Sequence, residues 1–331
     1  MKNKNVFYNE DCIDGCKKNI DNNSVDLIIT DPPYGINGDQ LHKHYNRKEE
    51  YVIDGYVEIP LEDYQEFSKN WIIQAERILK PGGSLYIVSG YTNLFHILQA
   101  LRETKLKELN HIIWKYNFGV YTKKKFVSSH YHILYYVKPG KPHTFNTYIR
   151  YSAREKTSNG GSLNYRDRED VWVINREYKP GKVKNKNELP TALLTKLIQY
   201  SSLENDLVCD LFLGSFSTAK VAIGLNRFAT GFEISQNAFN FQINEVKKVN
   251  PGSLLKDVKK PQGTNLENQG KPWTMEEKLK IQSRYDDLRK VHKTKKAIVE
   301  VLSYEFGRGR FSLDKIIKEL EKEPLQWELD L

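Results

Sequence analysis

Up to residue 248 the chain alternates short apolar runs with segments whose apolar residues recur every three or four positions. The runs predict buried strands and the recurring segments amphipathic helices. Their alternation predicts an α/β sheet with helices on both faces. Val25–Thr30 reads as a buried strand. From Leu61 to Leu79 the residues Phe67, Trp71, Ile72, Ala75, Ile78 and Leu79 keep helical spacing, up to the break at Pro81-Gly82-Gly83. Ser84–Ser89 reads as a strand and Asn93–Arg102 as a helix. Ile112–Tyr116 and His132–Val137 read as strands around a basic connector, "GVYTKKKF". After Pro190 the alternation returns: a helix at Ala192–Ser201, a strand at Leu207–Leu211, a helix at Ser217–Leu225, a strand at Phe228–Phe232 and a helix at Ser235–Lys248.

Three stretches break the pattern. Residues 37–60 are polar and lack periodicity, which is the habit of a lid over a site or a disordered loop. Residues 139–188 are rich in Lys, Arg, Asn, Gly and Tyr, and "TSNGGSLNYRDRED" and "YKPGKVKNKN" read as loops. Residues 250–272 have linker composition. Beyond them "TMEE" matches a capping box, with Thr274 at the cap and Glu277 three later. Helices follow near 275–290, 294–305 and 312–322. The expected domains are therefore 1–249 with an inserted region at 139–188, a linker at 250–272, and a small helical domain at 273–331.

Charge sharpens this division. The 331 residues carry a net charge of +9, yet residues 102–188 alone hold 19 Lys/Arg against 8 Asp/Glu. Interleaved with aromatic residues over that length, such an excess favours a polyanion surface over a merely solvated face. No run approaches the roughly 18 apolar residues of a membrane span. The N-terminus lacks the apolar core of a signal peptide. Cys12, Cys16 and Cys209 form no metal-like pair and fit free thiols in a reducing cytoplasm. No metal site is expected.

Two stretches carry candidate chemistry. In "IITDPPY", two prolines end the strand at once, because neither can donate to a ladder. The exit is rigid and presents the Asp31 carboxylate, free carbonyls and the Tyr34 ring. Downstream, "LVCDLFLGSFS" is a strand, a glycine turn and a helix start. Glu233 closes the next strand, 23 residues after Asp210. A strand, a glycine turn, a helix and a strand ending in an acid form the nucleotide-binding unit of doubly wound folds, with the acid accepting two ribose hydroxyls. The dinucleotide fingerprint GxGxxG is absent, so a ligand without a pyrophosphate fits better, S-adenosylmethionine (AdoMet) first among them.

"TDPPYG", "DLFLGS" and "GFEIS" together resemble the amino-group DNA methyltransferases, which methylate adenine N6 or cytosine N4. The tetrapeptide precedes the cofactor turn, as in that family's beta arrangement. "NEDCIDG", "ILKPGGSLYIV", "SSHYHILYYVK" and "ELPTALLTKLIQYSS" agree in order, so the resemblance covers roughly residues 6–248. It implies a doubly wound, mostly parallel, Rossmann-like methyltransferase sheet followed by the small helical domain. It assigns Asp31, Pro32, Pro33 and Tyr34 to catalysis. It places Asp11, Cys12, Asp31, Pro190, Thr191, Asp210, Phe212, Gly214, Ser215 and Glu233 around AdoMet. Lys123, Lys124, Lys125, Arg166, Arg168, Lys182, Lys184 and Lys186 become DNA contacts. The chain departs from the family where Phe216 replaces the usual glycine; a bulky ring there is expected to narrow the cofactor pocket. The implied activity is site-specific methylation of adenine N6 in double-stranded DNA, in the cytoplasm of a prokaryote or encoded by a phage, with a cognate restriction endonuclease and a homodimer as open partners. Cytosine N4 methylation, an RNA or protein amide methyltransferase, and an idle DNA-binding subunit are the alternatives.

Overall fold

The computed structural model describes residues 5–33, 59–117, 119, 123–177, 188–259, 261, 268, 270–291 and 294–322. They divide into two compact units. The first holds residues 1–149 and 168–259, and the second 150–167 and 260–331.

The first unit is built on an eight-stranded sheet. In chain order its strands are β1 (Val6–Tyr8), β2 (Val25–Thr30), β3 (Leu79–Ser89), β4 (Lys107–Lys115), β5 (His130–Val137), β6 (Val171–Val173), β7 (Leu207–Asp210) and β8 (Phe228–Phe232). Their spatial order is β1-β8-β7-β2-β3-β5-β4-β6. All pairs are parallel except β3–β5 and β5–β4. Central β2 reads as an apolar run because both its faces are covered. Leu27 and Ile29 enter one core, with α5 (Thr191–Ser201) and α6 (Ser217–Gly224). Ile28 enters the other, with α1 (Cys12–Asn19), α2 (Tyr64–Ile78) and α3 (Leu94–Arg102). The sheet is doubly wound and mostly parallel, as expected.

The winding sets the site. From β2 the chain runs through α2 to β3 on one side. From β7 it runs through α6 to β8 on the other. The carboxyl ends of β2 and β7 therefore flank a topological switch point, where open α/β sheets bind ligands. Close approach keeps β7 and β8 in place there: a Cβ on Gly231 would collide with the Asp210 carbonyl.

The inserted region departs from expectation. Residues 150–167 belong with the second unit and contain α4 (Leu163–Asp167), whereas β6 extends the sheet along β4. An Arg150–Asp167 ion pair at 2.8 Å closes the excursion at its base, with both side chains largely buried. Asn164 donates to the Tyr151 carbonyl at 2.8 Å. Polar pairing of this kind leaves no hydrophobic period to read. The expected linker also starts late. After α7 (Gln236–Val246), Leu254, Leu255 and Val258 pack on the first core, and the Leu254 N–H donates to the Gly224 carbonyl at 2.8 Å.

The second unit packs α8 (Met275–Val291), α9 (Lys295–Glu305) and α10 (Arg310–Lys322) around Ile281, Leu288, Ile298, Leu302, Leu313 and Ile317. Only half of the expected capping box forms. Thr274 Oγ accepts the Glu277 N–H at 3.1 Å. The Glu277 carboxylate turns instead to the buried Arg308 guanidinium, at 2.6 Å. A two-pronged ionic bond outcompetes a bond to one backbone N–H. Among the described residues, no helix is long and apolar enough to cross a membrane, and no His/Cys/Asp/Glu cluster fits a metal.

Candidate active site

β2 ends at Thr30, and Asp31, Pro32 and Pro33 leave the sheet from it. Hydrogen bonds hold this exit from both sides. On one side the Thr30 hydroxyl donates to Asp210 Oδ1 at 3.1 Å, joining the ends of β2 and β7. On the other, the hydroxyl of Tyr64, a fully buried residue at the start of α2, donates to the Pro33 carbonyl at 2.7 Å. Tyr64 was not singled out from the sequence, where its spacing reads as packing alone. Tyr34 lies outside the described residues.

Asp210 is tied into the protein itself. Its Oδ1 also accepts the Phe212 N–H at 3.1 Å and shapes the turn after β7. Burial pushes its carboxyl up to about 7; bonds from Thr218, Phe212 and Thr30 work against that rise, and the Glu233 charge adds to it. Phe212 packs on Phe67 and Trp71 of α2, with ring centroids 5.8 and 5.6 Å away. Gly214 adopts φ +50°, the left-handed region where glycine costs least. Its N–H donates to Glu233 Oε2 at 2.9 Å, while the Ser235 N–H donates to Oε1 at 2.8 Å. The carboxylate is thus aimed across the turn, its pKa raised by burial, against which those two bonds work. Buried Ser215 bonds Ser217 through their hydroxyls at 2.7 Å.

Asp11 and Cys12 follow β1, beside β8. The Glu233 N–H donates to the Tyr8 carbonyl at 3.1 Å, and Asn9 Nδ2 donates to the Glu233 carbonyl at 2.7 Å. Asp11 caps α1, its Oδ1 accepting the Ile13 and Asp14 N–H groups at 2.8 and 3.2 Å. Cys12 is buried in the core and its thiol is pushed well up by burial. Pro190 caps α5, and the Thr191 N–H donates to Glu177 Oε1 at 2.6 Å. Next to Glu177, Arg176 lies over the rings of Tyr116 and Tyr131, 5.0 and 5.3 Å from their centroids, and donates to the Tyr131 hydroxyl at 3.0 Å. Neither Arg176 nor Glu177 was singled out from the sequence, because each acts through partners far away in the chain.

The Phe216 expectation needs correcting. Its backbone sits at φ +56°, which explains a preference for glycine there. Its ring turns away from the turn into the core. It is 0% exposed and meets Phe7 and Phe239 edge-on, at 5.2 and 5.9 Å.

The basic candidates are distributed over both units and the undescribed residues. Lys123, Lys124 and Lys125 are exposed between β4 and β5. Arg166 lies in α4 of the second unit and Arg168 in the first unit, both exposed. Lys182, Lys184 and Lys186 lie outside the described residues.

A doubly wound sheet with an acid-closed glycine turn at its switch point is the Rossmann-like methyltransferase fold. Among solved structures, M1.HpyAVI in complex with SAM matches at a TM-score of 0.50 and 21% identity, over 72% of this chain and 98% of that one. A family model described as DNA methylase, of the N6/N4 type, matches residues 25–245. The type II methyltransferase M.HpaI of Haemophilus parainfluenzae is 31% identical over 66% of this chain and 67% of its own length. The DNA adenine methyltransferase YhdJ of Escherichia coli is 32% identical over 75% of this chain and 86% of its own. The chain belongs to the N6/N4 family of DNA methylases.

Proposed function

We propose that this protein methylates adenine N6 of a flipped-out base in duplex DNA, with AdoMet as donor. One observation carries the reading: Thr30–Asp210 and Tyr64–Pro33 bonds hold the Asp-Pro-Pro exit beside the Gly214–Glu233 turn. The turn fits the cofactor. Each Glu233 oxygen accepts one backbone N–H, and an ionised carboxylate has about four acceptor sites, which leaves room for two ribose hydroxyls. Asp11, Cys12, Pro190, Thr191, Asp210, Phe212 and Ser215 surround that place by resemblance. AdoMet supplies an electrophilic methyl on a sulfonium.

The protein's own residues prepare the nucleophile. An exocyclic amino nitrogen has its lone pair delocalised into the ring, so its hydrogens must be held for it to become tetrahedral. Asp31 accepts one N–H and the Pro32 carbonyl the other. Acceptors fixed by proline need no reorganisation as positive charge grows on nitrogen. Asp31 then takes the proton once the amine is cationic. The base must leave the duplex to reach them, and Tyr34 is assigned as its stacking platform.

Asp at the head of the tetrapeptide favours adenine, and the likeness to YhdJ adds to it. Mass spectrometry of nucleosides from treated DNA tests the choice. N6-methyladenine is expected, and N4-methylcytosine alone would overturn it. A cognate restriction endonuclease, a homodimer and a cytoplasmic location belong to this proposal as its open parts.

A further inference from the structure

The second unit holds a cavity of about 990 Å³ outside the catalytic site. Four segments line it: residues 152–154 of the excursion, 270–271 before α8, the opening of α9, and the turn into α10 with its first residues. Six lining side chains are basic (Arg154, Lys271, Lys295, Lys296, Arg308 and Arg310) and one, Asp314, is acidic. Some of this charge is answered within the unit. Arg308 pairs with Glu277 and Lys295 with Glu321, each at 2.6 Å, and Asp314 pairs with Lys318 at 2.7 Å. Among the described residues, Arg154, Lys271 and Lys296 join no salt bridge, and all three are exposed. Arg310 lies near enough to Arg154 that, after desolvation, the Arg154 charge holds its pKa down. The lining holds six basic side chains against one acidic one, and such an excess gains from an anion laid among them.

Shape narrows the anion's kind. The cations are spread over four segments, and Arg154, Lys271 and Lys296 face solvent, so they suit a ligand with repeated charges better than one small anion. α9 and α10 are joined by the turn 306–309, with Gly307 at φ +60°. Helix–turn–helix modules use such a connection to present the opening residues of the second helix to DNA. Here those residues are Arg310, Phe311 and Ser312, and Phe311 is 95% exposed. We propose that this basic groove is a DNA contact of the helical unit, taking the phosphodiester backbone of duplex DNA through Arg154, Lys271, Lys296 and Arg310. The proposal rests on the DNA substrate of the proposed function and adds to it a site outside the methyltransferase fold.

The test uses the full chain and a labelled duplex of random sequence, with anisotropy followed over a range of salt. Replacing Arg154, Lys296 and Arg310 together with alanine is expected to weaken binding roughly tenfold or more, and to make the salt slope shallower by about 2–3. AdoMet affinity by calorimetry is expected to stay unchanged, since the turn that holds it lies in the other unit. Exchanging charge for charge (Arg154→Lys, Lys296→Arg, Arg310→Lys) should restore binding, which separates lost charge from lost fold. Unchanged affinity and slope in the alanine variant would overturn the proposal, as would failed restoration with the helical circular dichroism intact. Tighter binding to an RNA hairpin than to the duplex would also overturn it. If the wild type methylates duplex DNA while the alanine variant binds just as well, only this inference fails. A wild type that neither binds nor methylates duplex DNA ends both readings.

Discussion

Phe216 sets two energies against each other, and their sizes predict an unusual order of stability. Its left-handed backbone costs a non-glycine residue roughly 1–2 kcal/mol. Its fully buried ring, edge-on to Phe7 and Phe239, is worth about 3–5 kcal/mol when truncated. Phe216→Gly relieves the first and loses the second, so a net loss of about 1–4 kcal/mol, centred on about 2.5, is expected. Phe216→Ala loses the ring and keeps the strain, about 3–5 kcal/mol in all. Stability should therefore fall in the order Phe, Gly, Ala. At an ordinary helical position glycine is worse than alanine by about 1 kcal/mol, so the reversal marks the backbone. Thermal unfolding followed by circular dichroism reads it, with a shift of roughly 5–10 °C for the glycine variant. A glycine variant as stable as wild type would refute the packing argument. An alanine variant above glycine would refute the strain argument. Because the ring points into the core, AdoMet affinity of the folded glycine variant should not rise. A clear gain by calorimetry would return Phe216 to the cofactor pocket.

Asp31→Ala should abolish methyl transfer with the unfolding midpoint nearly unchanged; near-normal turnover would exclude its role as acceptor. Tyr64→Phe removes the bond to the Pro33 carbonyl, so kcat should drop roughly 2–12-fold, the equivalent of about 0.5–1.5 kcal/mol. AdoMet affinity should hold in that variant, and a change confined to affinity would contradict a positioning role. Glu233→Ala should weaken AdoMet binding roughly 10–100-fold in calorimetry, as expected for bonds to a charged acceptor. For pH, buried Asp210 titrates near 7 when folded and near 3.8 otherwise, so its contribution to stability is lost as pH rises between those values. Burial and the charges of His111 and His130 push His132 down to about 4, so its contribution is lost as pH falls from about 6.5 to 4. Asp210→Asn should lessen the fall in stability as pH rises from about 4 to 7, relative to wild type, in urea titrations; an unchanged difference between the two across that range would count against the assignment.

How far the sequence could be read follows from which interactions leave a pattern. Strand β2 and the sheet around it were legible because burial on both faces leaves a continuous apolar run. Asp31 and the prolines were legible because proline closes a strand. Glu233 was legible because the distance from a turn to the end of the next strand is set by one helix and one strand. Tyr64 and Glu177 were not, since their hydrogen bonds reach 31 and 14 residues along the chain and leave no period. Phe216 was legible as a departure, but the direction of its ring was not, because a left-handed residue at a helix start sends its side chain where an ordinary cap would not.

The same reasoning explains the basic middle of the chain. Composition located its excess charge along the sequence but could not divide it in space. Ion pairing of Arg150 with Asp167 closes residues 150–167 into the helical unit and carries Arg154 to the groove lined by Lys296 and Arg310. The neighbouring β6 stays with the sheet. A basic excess read as one stretch of sequence is therefore divided between two folded units. One supplies the methyltransferase sheet, and the other gathers its cations from segments more than 100 residues apart. Such a surface is invisible to any local charge count. It follows that substitutions in residues 150–167 should alter DNA affinity together with those in α9 and α10, rather than with Lys123–Lys125. Double-mutant cycles between Arg154 and Arg310 would measure that coupling, and strict additivity of the two would argue against a shared phosphate.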